Sequence, residues 1–224
     1  NHRIVAGKPL PDALLAENPD EVHQGGANLR KQIENVRIHG VSPVVAINRF
    51  PEDHDADLAA IAEIAEECGA RCAITNHFSE GGAGASELAE AVAEATEEKT
   101  NFSVLYPDEM GIKEKIQTVA TKVYGAESVE FSAAATKQID SYTENGFGDL
   151  PVCIAKTHLS VSSDASLKGA PTGWTLPVRE VRASIGAGFV YPICGEMRTM
   201  PGLGKTPAAA SIDIDENGEI VGLS

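Results

Sequence analysis

"VVAINRFPEDHDADLAAIAEIAEECGARCAIT", residues 44–75, decides the fold. Its two ends, Val44 to Asn48 and Arg71 to Thr75, are apolar runs of strand length. Its middle repeats apolar residues at Leu58, Ile61, Ala65 and Cys68, the spacing of one helical face. A strand, a helix and a second strand in that order make a crossover unit, and a crossover joins parallel strands. The alternation continues outward. "NLRKQIENVRIHG" predicts a helix with Leu29, Ile33 and Val36 on one stripe, Asn28 as N-cap and Gly40 as stop. Downstream, "SELAEAVAEATEE" predicts a helix from Ser86, "FSVLY" (Phe102 to Tyr106) a third strand, "IKEKIQTVATKVYG" a helix ending at Gly125, and "SVEF" a short strand. The expected class is α/β, a parallel sheet with flanking helices.

After Ser132 the pattern changes. "AAATKQIDSYTENG" predicts one more helix and "PVCIAK" (Pro151 to Lys156) one more strand, and then strands dominate: "GWTLPVREVRAS", "GFVYPICG" and "SIDIDENGEIVGL". In the last, Ile212, Ile214, Ile220 and Val221 flank Asn217-Gly218, which reads as a two-residue hairpin turn. A smaller, mainly antiparallel unit is expected over 132–224, after a parallel α/β domain over 28–131 and a leading segment over 1–27.

Composition narrows the function. The 224 residues carry a net charge of -15, which argues against a nucleic-acid groove, and no apolar run approaches the ~18–20 residues of a membrane span. Cys68, Cys72, Cys153 and Cys194 form no CxxC pair and read as buried reduced thiols of a cytoplasmic protein. Gly204-Lys205-Thr206 looks like the tail of a phosphate loop, yet Thr199 stands where the pattern needs glycine and Pro207 follows at once. "RASIGAGF" lacks the third glycine of a dinucleotide fingerprint and reads as a bulge or tight turn.

Ligands of parallel α/β sheets bind beyond the carboxyl ends of the strands. Phe50 follows the first strand of the opening stretch and Phe78 the second, so both rings are expected on one sheet edge. They either sandwich a flat heterocycle or each plug a loop. His77, beside Phe78, is a further candidate. "EGGAGASELA" either admits an anion to backbone amides or simply makes the turn. Asp53, His54, Asp55 and Asp57 suggest a metal cluster, but acids also favour a helix's first turn. No Ser-His-Asp or Cys-His order stands out.

Taken together, "INRFP", "HFSEGGAG", "GFGDLPVCIAKTHLSVSSD" and "VREVRASIGAGFVYPICGEMRTMPGLGKTPAA" resemble the formate–tetrahydrofolate ligase family, in order from about Asn28 onward. The resemblance implies a ligase that uses ATP and formate to make 10-formyltetrahydrofolate through formyl phosphate. It further implies that this chain is the C-terminal portion, without the family's N-terminal phosphate-loop region. ATP and Mg2+ would then be bound mainly elsewhere, a monovalent cation is a further cofactor the resemblance allows without assigning its site, and this portion would contain no catalytic residue and no metal site. It implies folate-binding residues Phe50, Phe78, Pro51 and Ile74, with His77 beside them. The second aromatic is usually Trp in the family, and here it is Phe78. The family's "PGLP-x-RP" is replaced by "PGLGKTP" over residues 201–207. The implied partners are tetrahydrofolate, formate and ATP, with homo-oligomers at full length and neither nucleic acid nor membrane. A non-catalytic folate-binding or oligomerisation module is the alternative.

Overall fold

The computed structural model describes residues 11–195 and 210–222. Three short helices come first: α1 (Asp12–Leu15), α2 (Pro19–Gly25) and α3 (Ala27–Arg37). Pro19 opens α2, where its missing N–H costs nothing, and Asn18 caps it by accepting the Glu21 N–H. The α3 helix starts one residue before the expected N-cap. Asn28 instead reaches across to donate to the Gly169 carbonyl, and of the predicted stripe Ile33 is buried while Val36 is exposed.

The opening stretch folds as read. Strand β1 (Val44–Asn48), helix α4 (Asp55–Glu67) and strand β2 (Arg71–Thr75) form a parallel pair with Val44 opposite Arg71 and Asn48 opposite Thr75. A small core of Ile33, Ala65 and Ala70 joins α3 and α4 to the sheet. Helices α5 (His77–Glu80) and α6 (Ser86–Thr96) follow, separated by a 3-10 turn over Gly81–Ala85, and α6 packs on β2.

The expected third strand does not form. Residues 102–106 run outside the sheet because the neighbouring amides bond to a turn rather than a strand edge: Asn101 N–H donates to Gly40 O and Ser103 N–H to His39 O, both at 3.1 Å. Phe102 lies over His39, and Tyr106 accepts the Val152 N–H through its hydroxyl. Gly40 is required at this crossing: its φ is +74°, and a Cβ would stand 2.1 Å from the Asn101 carbonyl oxygen.

Helix α7 (Ile112–Lys122), strand β3 (Ser128–Phe131), helix α8 (Ala133–Glu144) and strands β4 (Thr175–Ser184) and β5 (Phe189–Cys194) build the larger core. The sheet order is β3-β4-β5, with β3 parallel to β4 and β4 antiparallel to β5. It therefore spans the expected division at residue 131, since β3 lies before it and its partner after. Ile112, Ile116 and Ala120 of α7 and Ala135 and Ile139 of α8 pack with Leu176, Val178, Val181 and Val190 of the sheet; Trp174 joins them and donates its indole N–H to Pro171 O. The expected strand at 151–156 is reduced to two isolated bridges against β5, at Val152 and Ala155. Gly188, left-handed at φ +76°, closes the tight β4–β5 turn, the outcome read from "RASIGAGF".

The last hairpin pairs β6 (Asp213–Ile214) with β7 (Ile220–Val221). Its loop is longer than two residues, because the Asp215 carboxylate takes the N–H groups of Asn217 and Glu219, both at 2.9 Å, and holds a wider turn. The Gly202 to Thr206 stretch lies outside the described residues.

Candidate functional site

The carboxyl ends of β1 and β2 stand side by side, and each releases the chain into a turn of fixed shape. After β1, the Asp53 carboxylate accepts the Phe50 N–H at 2.8 Å while the Asp53 N–H donates to Phe50 O at 3.1 Å. The Arg49 N–H is still in the sheet, bonded to Thr75 O at 3.0 Å. After β2, the Asn76 N–H donates to Gly84 O at 2.8 Å, folding the glycine-rich turn back on the strand end. A Cβ on Gly84 would lie 2.6 Å from the Asn76 carbonyl, so this approach is open to glycine alone.

Together the turns place the Phe50 and Phe78 rings 6.0 Å apart between centroids, inclined at 49°. The two rings are 49% and 72% exposed, which is unusual for large apolar side chains. They touch as a tilted aromatic pair. A heterocycle between them needs about 7–8 Å, two stacking distances of about 3.5–4 Å. In this arrangement the pair therefore offers outer faces, and entry between the rings requires them to part.

The other expected residues are distributed around that pair. Pro51 is exposed in the turn after Phe50. Ile74 lines a cleft of about 380 Å3 with Arg49, Asn76, Gly84, Glu80 and Glu87. His77 is exposed, and its Nδ1 lies 2.7 Å from the hydroxyl of Thr75, which is 1% exposed, so the buried threonine orients the ring. On the other side of the turn, Phe50 shares a cleft of about 560 Å3 with Leu14, Leu15, Glu52 and Asp53. Sequence reading missed Leu14 and Leu15, because α1 is a single turn with no periodicity to mark its face. It also missed Arg49 and Glu52, which flank Phe50 and Pro51 and carry no motif of their own.

The acidic run at residues 53–57 is occupied by structural bonds. Asp53 holds Phe50, Asp55 pairs with Arg49 at 2.8 Å, Asp57 accepts the Asn18 N–H at 2.9 Å, and the His54 ring bonds Leu15 O at 2.9 Å. Only Asp55 and Asp57 belong to the first turn of α4, with His54 at the cap position. Among the described residues, no three His, Cys, Asp or Glu side chains are grouped to hold a metal ion.

Two lysines that no motif signalled sit in carbonyl cages, one buried and one half-buried. Lys115, fully buried, donates to the carbonyls of Gly148, Asp149 and Leu150 at 2.8–3.4 Å. Lys156 donates to the carbonyls of Thr157, Ser160 and Ser162 and lies 4.8 Å from the Tyr124 ring centroid. Burial lowers both ammonium pKa values. The cysteines are free but not uniformly buried: Cys194 is buried, Cys68 and Cys72 are partly covered, and Cys153 is exposed. Burial pushes the Cys194 thiol up to about 12, so it is not a thiolate nucleophile near neutral pH.

These strand-end turns display a ring pair beside open clefts in a fold of the α/β class, at the carboxyl edge of a parallel pair, the place where proteins of that class bind ligands. The family model for formate–tetrahydrofolate ligase matches residues 3–224, and the chain belongs to that family. It is 66% identical over 223 residues to the formate–tetrahydrofolate ligase of Saccharopolyspora erythraea, covering 100% of this chain and 40% of the relative. It is 58% identical over 231 residues to formate–tetrahydrofolate ligase 3 of Rubrobacter xylanophilus, covering 99% and 40%. The Cutibacterium acnes ligase is 55% identical over 222 residues, covering 99% and 39%. The chain thus spans about 40% of the length of the curated relatives it matches. No helix among the described residues is long and apolar enough to cross a membrane.

Proposed function

We propose that this chain supplies the folate-binding side of a formate–tetrahydrofolate ligase, in which ATP phosphorylates formate and the folate N10 amine attacks the resulting formyl phosphate. The observation that carries the reading is the exposed Phe50–Phe78 contact at adjacent strand ends, a surface suited to the flat pterin ring. Pro51 shapes the Phe50 turn, Ile74 lines the neighbouring cleft, and His77 is a polar neighbour held by Thr75. Their task is to hold the folate so that N10 meets an acyl donor in a productive pose, a positioning role rather than a bond-making one.

The clefts beside the rings do not suit a nucleoside triphosphate. One carries Glu52 and Asp53, and the other sets Arg49 against Glu80 and Glu87, so phosphate oxygens would meet more carboxylate than cation. No step through ATP, Mg2+ or a monovalent cation is assigned to these residues. Those groups, like assembly into homo-oligomers and a cytoplasmic location, belong to the proposal for the whole ligase. Calorimetric titration with tetrahydrofolate tests the reading. Binding is expected, and Phe50→Ala and Phe78→Ala should each weaken it by about tenfold, the size of one lost aromatic contact with its buried area. Unchanged affinity in both variants would overturn it.

A further inference from the structure

A cleft of about 280 Å3 lies between α3 and the 156–161 segment, lined by Asn28, Gln32, Asn35, Tyr124, Lys156 and His158 among others. The three α3 residues stand at i, i+4 and i+7, one face of the helix. The chain carries a net charge of -15, yet this lining contains no aspartate or glutamate. Four other clefts among the described residues each carry at least one: Glu34, Glu66, Glu52 and Glu80 are examples, one from each. We propose that this cleft is a binding site for a small oxyanion, the phosphate or carboxylate group of a ligand, set in the field of Lys156 and held by hydrogen bonds from Tyr124, Gln32 and His158.

Lys156 supplies the charge. Its ammonium donates to the carbonyls of Thr157, Ser160 and Ser162 and lies 4.8 Å from the Tyr124 ring centroid. These dipoles and the ring face solvate the cation without neutralising it, and no carboxylate pairs with it among the described residues. Burial works against the charged form, and an anion in the cleft offsets that cost. With its three hydrogens committed, Lys156 acts through its field, and the contacts fall to its neighbours.

Three of those neighbours have donors to spare. The half-buried Tyr124 makes no hydrogen bond through its hydroxyl among the described residues, although a covered tyrosine O–H ordinarily finds a partner. Gln32 uses its carbonyl oxygen to accept from Asn35 at 3.3 Å, which leaves both of its amide hydrogens free. The His158 ring has no partner among the described residues and carries one N–H even when neutral. The Asn35 carbonyl oxygen is an acceptor without a partner, but it is covered, so it does not meet the anion. Uncharged donors around one uncompensated cation suit an oxyanion; a metal ion or an amine would be repelled by Lys156 and find no carboxylate. The volume falls below the ~300–1,000 Å3 of drug-sized sites, so the bound group is small. Because Ile33 of α3 is buried in the smaller core, an occupied cleft adds a tie between that core and the 156–161 segment.

The test titrates the complete 224-residue chain with inorganic phosphate and, separately, with acetate, followed by amide NMR at an ionic strength held constant with sodium chloride. A saturable shift centred on residues 28–35, 123–124 and 156–161 is expected with at least one of the two anions, and the pair of titrations tells a phosphate site from a carboxylate site. Tyr124→Phe keeps the ring over Lys156 and removes only the hydroxyl. This variant and Gln32→Leu should each weaken binding about tenfold, the worth of one hydrogen bond to a charged acceptor. Lys156→Met should abolish binding, and the two milder variants keep the test open should Lys156→Met misfold without its carbonyl cage. No saturable shift with either anion, or unchanged affinity in the Tyr124→Phe/Gln32→Leu double variant, overturns the site.

Discussion

A methyl group at residue 84 would stand 2.6 Å from the Asn76 carbonyl, whereas at residue 82 it would meet nothing within 4 Å. Gly84→Ala should therefore lower stability by about 1–3 kcal/mol, the usual cost of forcing an atom into filled space, while Gly82→Ala stays near neutral. Urea unfolding of the two variants checks this, and equal midpoints would show that the turn relaxes freely. The composition of "EGGAGASELA" reveals a turn but not which glycine is essential. That depends on Asn76, eight positions away in sequence and pressed against Gly84 only by the fold. A second single-residue prediction concerns Asp215. Its carboxylate accepts from the backbone of Glu219 and of Asn217, which lowers its pKa below the ordinary 3.8. The folded value is depressed, so the contribution to the hairpin is fully present above pH 3.8 and is lost as pH falls through the folded value. Amide resonances of Asn217 and Glu219 should titrate together with a midpoint below 3.8; a midpoint above it would contradict the bonding.

Among the elements, α8 shows how a local cap becomes a tertiary tie. Ser132 accepts the Ala135 N–H at 3.0 Å and donates to Arg179 O of β4 at 2.6 Å, so one hydroxyl starts the helix and fastens it to the sheet. Ser132→Ala should cost about 0.5–2 kcal/mol, the range for lost N-caps, with helix content nearly unchanged at neutral pH. Thermal unfolding followed by circular dichroism measures it; no shift in midpoint would mean the cap is dispensable. Long periodic elements such as α4, α7 and α8 were legible because a buried helical face repeats in sequence. The 102–106 segment was misread for a complementary reason. Its apolar run has strand composition, but a strand also needs an edge to pair with, and its neighbouring amides were taken by His39 and Gly40.

For the whole molecule, the share of the family's length that this chain spans, about 40%, sets the expectation for chemistry. Incubated alone with ATP, formate and tetrahydrofolate, it should form no 10-formyltetrahydrofolate while still binding the folate. Chromatographic detection of that product, with this chain as the sole protein, would refute the division of labour. The two sheets are also tied into one body by contacts distant in sequence, including Asn28 to Gly169 O and Lys31 to Lys122 O. Those ties run through α3, so a division at residue 131 marks a change in strand pattern rather than a gap in packing.

By itself the sequence determined the parallel crossover at 44–75, the helices of both cores and the placing of Phe50 and Phe78 on one edge, because each follows from periodicity and chain direction. Tertiary structure alone decided that the rings touch, that α1 walls a cleft against Phe50, that the acids of 53–57 serve loop geometry, and that two lysines fill carbonyl cages. The physical reason is common to all four. Each outcome is settled by groups far apart in the chain competing for the same space or the same hydrogen bond, and a linear pattern carries no record of that competition.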